Sequence, residues 1–172
     1  MITNISLTTK ERYLLEDARS HEEQCVLKYS NYEKLATDTE LKAVFRTNGQ
    51  KEQEHLETIN QLLTGKVPSM SNSQSGGTQQ QQQQKQSQQS PQAQRNTSQQ
   101  VGGATGFNAS DKDLCTDMLN TEKYVSHTYD TAIFEFKDAP VRDVLNHIQK
   151  EEQKHGEAIF MYMTSKGMYQ PK

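Results

Sequence analysis

A five-residue phrase occurs twice in this chain and constrains its fold more than any other feature. Lys51 to His55 has the sequence KEQEH, and Glu151 to His155, 100 positions later, has EEQKH. The same offset aligns further identical residues: Leu14 with Leu114, Asp17 with Asp117, Glu22 with Glu122, Tyr29 with Tyr129, Val44 with Val144, and Ile59 with Ile159. The chain is therefore predicted to contain two copies of one structural unit.

Each copy has the periodicity of two amphipathic helices. In the first copy, Thr8 with Glu11 forms a capping box before one apolar stripe, and Thr37 with Glu40 is predicted to cap a second. Gly65 is predicted to end that second helix. Each copy is therefore a helical hairpin.

The second copy has matching signals. Ser110 or Asp111 opens a third helix, whose apolar stripe is predicted to extend to Phe136. Pro140 is tolerated in the first turn of a fourth helix. Four amphipathic helices with short loops inside each pair predict an all-α four-helix bundle, in which the second and third helices are parallel.

The segment between the copies has a different composition. Of the 39 residues from Pro68 to Gly106, 21 are Gln or Ser and none is aromatic. Such a segment cannot bury enough apolar surface to offset the entropy of ordering, so we expect a disordered crossover at 68–106. A plain spacer is the simpler role for it, and polar contacts during assembly are the alternative. The hairpins, 5–67 and 107–169, are expected to form one domain.

Charge and hydropathy exclude some partners. The formal net charge is -3, and the crossover contributes only Lys85 and Arg95 to the charged residues, so the hairpins together are more acidic. An acidic surface does not suit a phosphate backbone, and no nucleic acid is expected. The sequence has no apolar run of membrane-spanning or signal-peptide length, so synthesis in the cytoplasm and no membrane partner are expected.

Six polar side chains fall on the apolar stripes of the predicted helices. Their spacing repeats in both copies, because each Glu-x-x-His pair follows 30 residues after an inward-facing Glu. The six candidates are Glu22, Glu52, His55, Glu122, Glu152 and His155. We therefore expect all six to converge in the bundle interior.

Four carboxylates and two imidazoles in an apolar core require compensation, because an unpaired buried charge costs several kcal/mol. Two divalent cations would neutralise the four carboxylates. Di-iron and di-manganese bundles use this ligand set, which consists of one Glu from each of two helices and a Glu-x-x-His pair from each of the other two. Oxygen-rich ligands with one nitrogen per ion suit iron or manganese. The alternative is a protonated or hydrated hydrogen-bond network without metal.

Several other residues receive simpler interpretations. Tyr29 and Tyr129 are interpreted as core tyrosines, with contacts to the metal ligands as the alternative. The remaining histidines are interpreted as boundary or surface residues. The two cysteines, Cys25 and Cys115, are interpreted as buried apolar residues. Gly49 and Gly156 are unusual inside helices, and close helix approach would explain them.

The second hairpin also resembles a known family. The run from Asp111 to Tyr169 is similar to the coat F family of spore coat proteins, most clearly in DLCTDML at Asp113 to Leu119, in EKY at Glu122 to Tyr124, and in GMY at Gly167 to Tyr169. The resemblance implies a ferritin-like fold, synthesis in the mother cell, and association with other proteins in the spore coat.

Two functions remain open from the sequence. In the first, the chain is a coat component whose metal site stabilises the bundle. In the second, it is a di-manganese or di-iron oxidoreductase acting on peroxide or oxygen, with Glu52 and Glu152 bridging the ions and Glu22 and Glu122 as terminal ligands. A peroxidase needs a reductant, and the sequence has no rubredoxin-like Cys-x-x-Cys to supply electrons. Dismutation of peroxide needs no reductant, so it is the better enzymatic version. The coat role without enzymatic activity is preferred, and homo-oligomerisation is left open.

Overall fold

The computed structural model describes residues 3–68 and 110–169, which form four long helices and one short two-stranded bridge. The elements are β1 Thr3–Asn4, α1 Thr9–Leu35, α2 Thr39–Leu63, β2 Lys66–Val67, α3 Asp111–Ile133 and α4 Ala139–Ser165. The predicted all-α four-helix bundle is confirmed. Apart from Pro68, the segment predicted to be a disordered crossover lies outside the described residues.

The helix boundaries confirm most of the predicted caps and correct one. The Thr8 capping box is present, because the Glu11 N–H donates to the Thr8 hydroxyl and the Thr8 N–H donates to the Glu11 carboxylate. The predicted Thr37 cap is wrong: Asp38 caps α2 by accepting from the Glu40 N–H at 2.8 Å. Asp38 stands at the N-cap position, directly before the first helical residue, so its carboxylate can accept from an N–H of the first turn.

The third helix is shorter than its apolar stripe predicted. Ser110 caps α3 through a capping box with Asp113, so the first of the two predicted start points is confirmed. The helix ends at Ile133, and Phe136 is buried in the loop after it, so its predicted place on the helix is wrong. Phe136 packs into the same core from the loop. Periodicity indicates that a residue is buried, but it cannot distinguish a buried loop residue from a buried helical residue. Pro140 lies in the first turn of α4, as predicted.

Contacts between helix ends determine how the two hairpins pair. The Lys137 N–H donates to Glu11 Oε1 at 2.9 Å, so the end of α3 meets the start of α1. At the other end of the bundle, Thr37 donates to Asp111, and the Tyr162 hydroxyl donates to Asp38 at 3.1 Å. Each helix of one hairpin is thus antiparallel to its packed neighbour in the other. The second and third helices are therefore parallel, as predicted.

Apolar residues pack into two clusters that leave a polar layer between them. One cluster contains Ile59 and Leu145, and the other contains Phe45 and Ile159. Along α2 and along α4, the Glu-x-x-His turn separates the residues of the two clusters. The candidate site is therefore enclosed by apolar packing at both ends.

A short bridge that the sequence did not predict ties the N-terminal segment to the end of the first hairpin. Strand β1 pairs antiparallel with β2, and the Ile5 N–H donates to the Gly65 carbonyl at 2.9 Å. Gly65 has φ +80°, and a Cβ there would lie 2.9 Å from the Ile5 oxygen, so this close turn requires glycine. Within residues 3–68 and 110–169, no helix is long and apolar enough to cross a membrane.

Candidate metal centre

All six predicted ligands are buried at the middle of the bundle. Each hairpin contributes one Glu from its first helix and a Glu-x-x-His turn from its second, where a three-residue spacing places both side chains on one face. The exposed fraction of every one of these residues is 4% or less: Glu22, Glu52, His55, Glu122, Glu152 and His155. The structure thus brings together every residue that the repeat singled out.

The two histidines face the carboxylates through the same ring atom. His55 Nδ1 lies 3.0 Å from Glu152 Oε1, 3.4 Å from Glu52 Oε2 and 3.7 Å from Glu22 Oε2. His155 Nδ1 lies 2.8 Å from Glu52 Oε1, 3.7 Å from Glu152 Oε2 and 3.6 Å from Glu122 Oε2. The two hairpins therefore present nearly the same set of atoms, related by the pseudo-twofold axis of the bundle.

Glu52 and Glu152 are shared between the two halves of the site. Each directs one carboxylate oxygen toward His55 and the other toward His155. Two groups of possible ligands result, each with its donor atoms within 4.8 Å of one another: Glu22, Glu52, His55 and Glu152, and Glu52, Glu122, Glu152 and His155. A carboxylate that belongs to both groups has the placement of a bridging ligand.

Hydrogen-bond geometry tests whether these residues fit a pair of metal ions. Among the described residues, seven buried side-chain atoms lack a hydrogen-bond partner, and six of them belong to this cluster. The six are Glu22 Oε2, Glu52 Oε2, His55 Nδ1, Glu122 Oε2 and both oxygens of Glu152. Buried polar atoms are normally paired, so this concentration of unpaired donor and acceptor atoms around one centre fits a pair of cations.

Without metal, burial and neighbouring charges divide the carboxylates into two kinds. Burial raises the pKa of Glu22 to about 8 and raises the pKa of Glu122 well above its usual range. Burial would also raise the pKa of Glu52, but its bonds to His155 and His55 outweigh burial and lower it to about 2. The terminal acids therefore favour the protonated form, and the shared acid favours the ionised form.

The imidazoles complete the charge balance of the metal-free cluster. Burial opposes the charged form of both rings, but bonds to the surrounding carboxylates raise the pKa of His155 to about 11 and that of His55 further above its usual range. The same bonds lower the pKa of Glu152 against the effect of burial. Two imidazolium ions and two carboxylates cancel, so the metal-free bundle can fold without a net buried charge.

Glu151 is a partner of the site that the sequence prediction did not include. Its Oε2 lies 3.0 Å from His55 Nε2, on the side of the ring away from the cluster. A carboxylate there favours the proton on Nε2, so the proton that an ion would displace is the one on Nδ1, as with outer partners of metal-binding histidines. At the equivalent position of the first hairpin stands Lys51, which bonds to Glu54 instead.

The two tyrosines are buried core residues, as interpreted, and they also contact the candidate ligands, which was the alternative. The Tyr29 hydroxyl donates to Glu122, and the Tyr129 hydroxyl donates to Glu22, so each tyrosine contacts the acid of the opposite hairpin. Asn48, which lies on the core stripe of α2, donates to the Tyr29 oxygen at 3.1 Å. These bonds leave one oxygen of each terminal acid occupied and the other free.

The remaining candidates keep their simpler interpretations. His127 and His147 are exposed and His21 is partly exposed. Cys25 and Cys115 are buried and free. Of the two helical glycines, only Gly49 is explained by close packing, because a Cβ there would lie 2.9 Å from Tyr29 Cβ.

Comparison with known proteins agrees with the resemblance of the second hairpin. The family model of the Coat F domain matches residues 110–172. Comparisons with curated proteins and with solved structures give no match. The second hairpin of this chain, with Glu122, Glu152 and His155 in its interior, is therefore similar to the Coat F domain.

Proposed function

We propose that this chain is a spore coat-associated protein whose bundle holds two divalent ions, iron or manganese, between its duplicated hairpins. The Coat F domain supports the coat role and association with other coat proteins after synthesis in the mother cell. The observation that carries the metal site is the placement of Glu52 and Glu152, each of which has one oxygen toward each histidine.

Each residue has a definite part in holding the ions. Glu52 and Glu152 would be shared by both ions, Glu22 and His55 would hold one ion, and Glu122 and His155 would hold the other. Each position therefore has several carboxylate oxygens and one histidine nitrogen, a ligand set that suits iron or manganese. When bound, the pair would neutralise four carboxylates and supply redox and Lewis-acid chemistry.

The chain's own residues prepare that site. Tyr129 and Tyr29 orient the terminal acids, so that one oxygen of each faces the centre. Glu151 fixes the proton of His55 on the outer nitrogen. The apolar clusters on both sides exclude water, which strengthens the attraction between the carboxylates and a cation.

Metal content per chain tests the proposal. The full chain, purified without chelator and analysed by elemental mass spectrometry, should contain about two iron or manganese ions, as the ligand set implies. Glu22→Gln removes a terminal ligand and should reduce the content to about one, whereas Glu23→Gln, at the exposed neighbouring position, should leave it unchanged. Equal metal content in both variants would contradict the assignment.

The coat role needs a separate test in a sporulating bacterium. An antibody against the chain should find it in the coat fraction of purified spores, and the Glu22→Gln variant should still reach that fraction if coat association depends on the domain surface. Absence of the wild-type chain from the coat fraction would contradict this part of the proposal and leave the metal assignment standing.

The alternative function, dismutation of peroxide, is favoured by one observation. A groove between α3 and α4 is lined in part by Glu122 and Glu152, so solvent comes close to two of the proposed ligands. Oxygen release after addition of peroxide to the manganese-loaded chain would establish turnover. Two bound ions without oxygen release would leave the metals a structural or storage role.

A further inference from the structure

The groove between α3 and α4 lies over one half of the candidate metal centre. It has a volume of about 720 Å³ and is lined by side chains of both helices. Its inner part includes Glu122 and Glu152, which are only 1% exposed, together with Leu119, Gly156 and Phe160. The groove therefore lies against two of the proposed ligands, one terminal and one bridging.

Gly156 lines this groove and has no side chain to fill it. Glycine inside a helix costs about 1 kcal/mol relative to alanine. Close packing does not explain it, because a Cβ at 156 would meet only Leu119 Cδ1 at 3.6 Å and Glu122 Cβ at 3.9 Å, both ordinary contacts. The side chain that glycine lacks would point from α4 toward the Glu122 side of α3.

The repeat provides an internal comparison. The equivalent position of the first hairpin holds Leu56, a large side chain that is partly buried. The two hairpins thus share their ligands but differ at the residue that lies beside the groove. An opening at one half of a symmetric site indicates a route for something other than the protein's own side chains.

The rim of the groove has a definite charge. Lys123, Lys150 and Lys154 line it, and Glu157 is the one acid among its exposed lining residues. The resulting positive potential favours anions, which a low-dielectric wall concentrates further. The apolar inner wall suits a molecule that reaches past the lysines without needing further polar partners.

We propose that this groove is a binding site for a small anion, which reaches the metal pair through the opening at Gly156. The inference rests on the proposed metal site, because the inner end of the groove is formed by two of its ligands. The anion would exchange with solvent on the α3–α4 side of the bundle. Lysine side chains at the rim would attract it, and the metal pair would hold its charged end.

Azide is a suitable probe, because it is a small anion whose binding changes the absorption of cobalt. The full chain loaded with Co²⁺ should show a saturable spectral change on addition of azide. Gly156→Leu copies the residue of the first hairpin and should abolish that change or weaken azide binding at least tenfold. Gly156→Ala adds only a Cβ with ordinary contacts, so it should fold, keep the groove open and bind azide as the wild type does.

The outcomes separate this inference from the proposed function. Two cobalt ions per chain with the same azide affinity in the wild type and in Gly156→Leu would overturn the groove and leave the metal site intact. Failure of the wild type to bind cobalt would overturn the metal site, and with it the groove. A Gly156→Leu chain that binds two cobalt ions but no azide is the expected result.

Charge at the rim gives a second measurement. The double substitution Lys150→Gln and Lys154→Gln should weaken azide binding several-fold at low salt, and the difference should shrink as salt screens the lysines. Lys112, exposed at the start of α3 and outside the groove, offers a matched control through Lys112→Gln. Equal azide affinity in the double variant and in the wild type would show that the rim does not recruit the anion.

Discussion

Removal of the Glu151 carboxylate should make the two metal positions more nearly equal in affinity. In the wild type, among the described residues, a carboxylate lies beside the outer nitrogen of His55, whereas the carboxylates around His155 all face its Nδ1. Outer partners of this kind change metal affinity by about 10-fold to 100-fold. We therefore expect two unequal binding steps, the tighter one at His55.

The size of the effect follows from the exposure of Glu151. Its side chain keeps 16% of its surface exposed, so water can take its place beside His55 Nε2 in Glu151→Ala. That replacement favours the lower end of the range, about tenfold, which corresponds to about 1.4 kcal/mol. Glu151→Gln keeps an oxygen acceptor and should recover part of the loss.

Calorimetric titration of the metal-free full chain with Mn²⁺ measures both steps. Glu151→Ala should weaken the tighter step and leave the other unchanged. Lys51→Ala, the same change at the equivalent position of the first hairpin, is the matched control and should alter neither step. Equal weakening of both steps by Glu151→Ala, or no weakening, would refute the reasoning about His55.

Three further predictions concern proton release, the pH dependence of stability, and the tyrosines. Two carboxyls and two imidazoles of the site have raised pKa values, so all four groups should be protonated at pH 7 without metal. Binding of two ions should therefore release about four protons per chain, which calorimetric titration in buffers of different ionisation enthalpy measures. Release of no protons would contradict the protonated metal-free state. Because these pKa values are raised on folding, their stabilisation is complete below the unfolded values and is lost as pH rises to the folded values. For Glu22 the loss extends from about pH 4.5 to about pH 8, so the melting temperature of the metal-free chain should fall across that range. Tyr129→Phe leaves Glu22 without its donor and should weaken the His55 position, while Tyr124→Phe, at an exposed tyrosine, should not; equal affinities in the two variants would count against the orienting role.

The sequence was sufficient to predict the positions that the two hairpins share. Glu22 and Glu122 were identified because they fall on apolar stripes, and periodicity reports which face of a helix is buried. The Glu-x-x-His turns were identified for the same reason. The helix-capping signals at Thr8 and Ser110 were also sufficient, because a cap depends only on residues within one turn.

What the sequence could not predict depends on contacts between hairpins. Glu151 has no equivalent in the first hairpin, so comparison of the repeats hides it, and only the packing of α2 against α4 places it at His55. Tyr29 lies seven residues after Glu22 but bonds to Glu122, a partner that no spacing within one helix indicates. The bridge between β1 and β2 involves two residues in each strand, too few for a periodic signal.

The differences between the hairpins therefore carry information that the repeat does not. Positions that are identical in both copies would supply the ligands of the proposed symmetric centre. The copies differ at two positions beside that centre. The second hairpin has Glu151, which accepts a hydrogen bond from His55, and Gly156, which lines the groove next to Glu122. The first hairpin has Lys51 and Leu56 at the equivalent positions. A site built only to neutralise buried acids has no need of such differences, because each half could use the same surroundings. The asymmetry is what a centre requires when one ion is held firmly and a ligand from solvent approaches from one side.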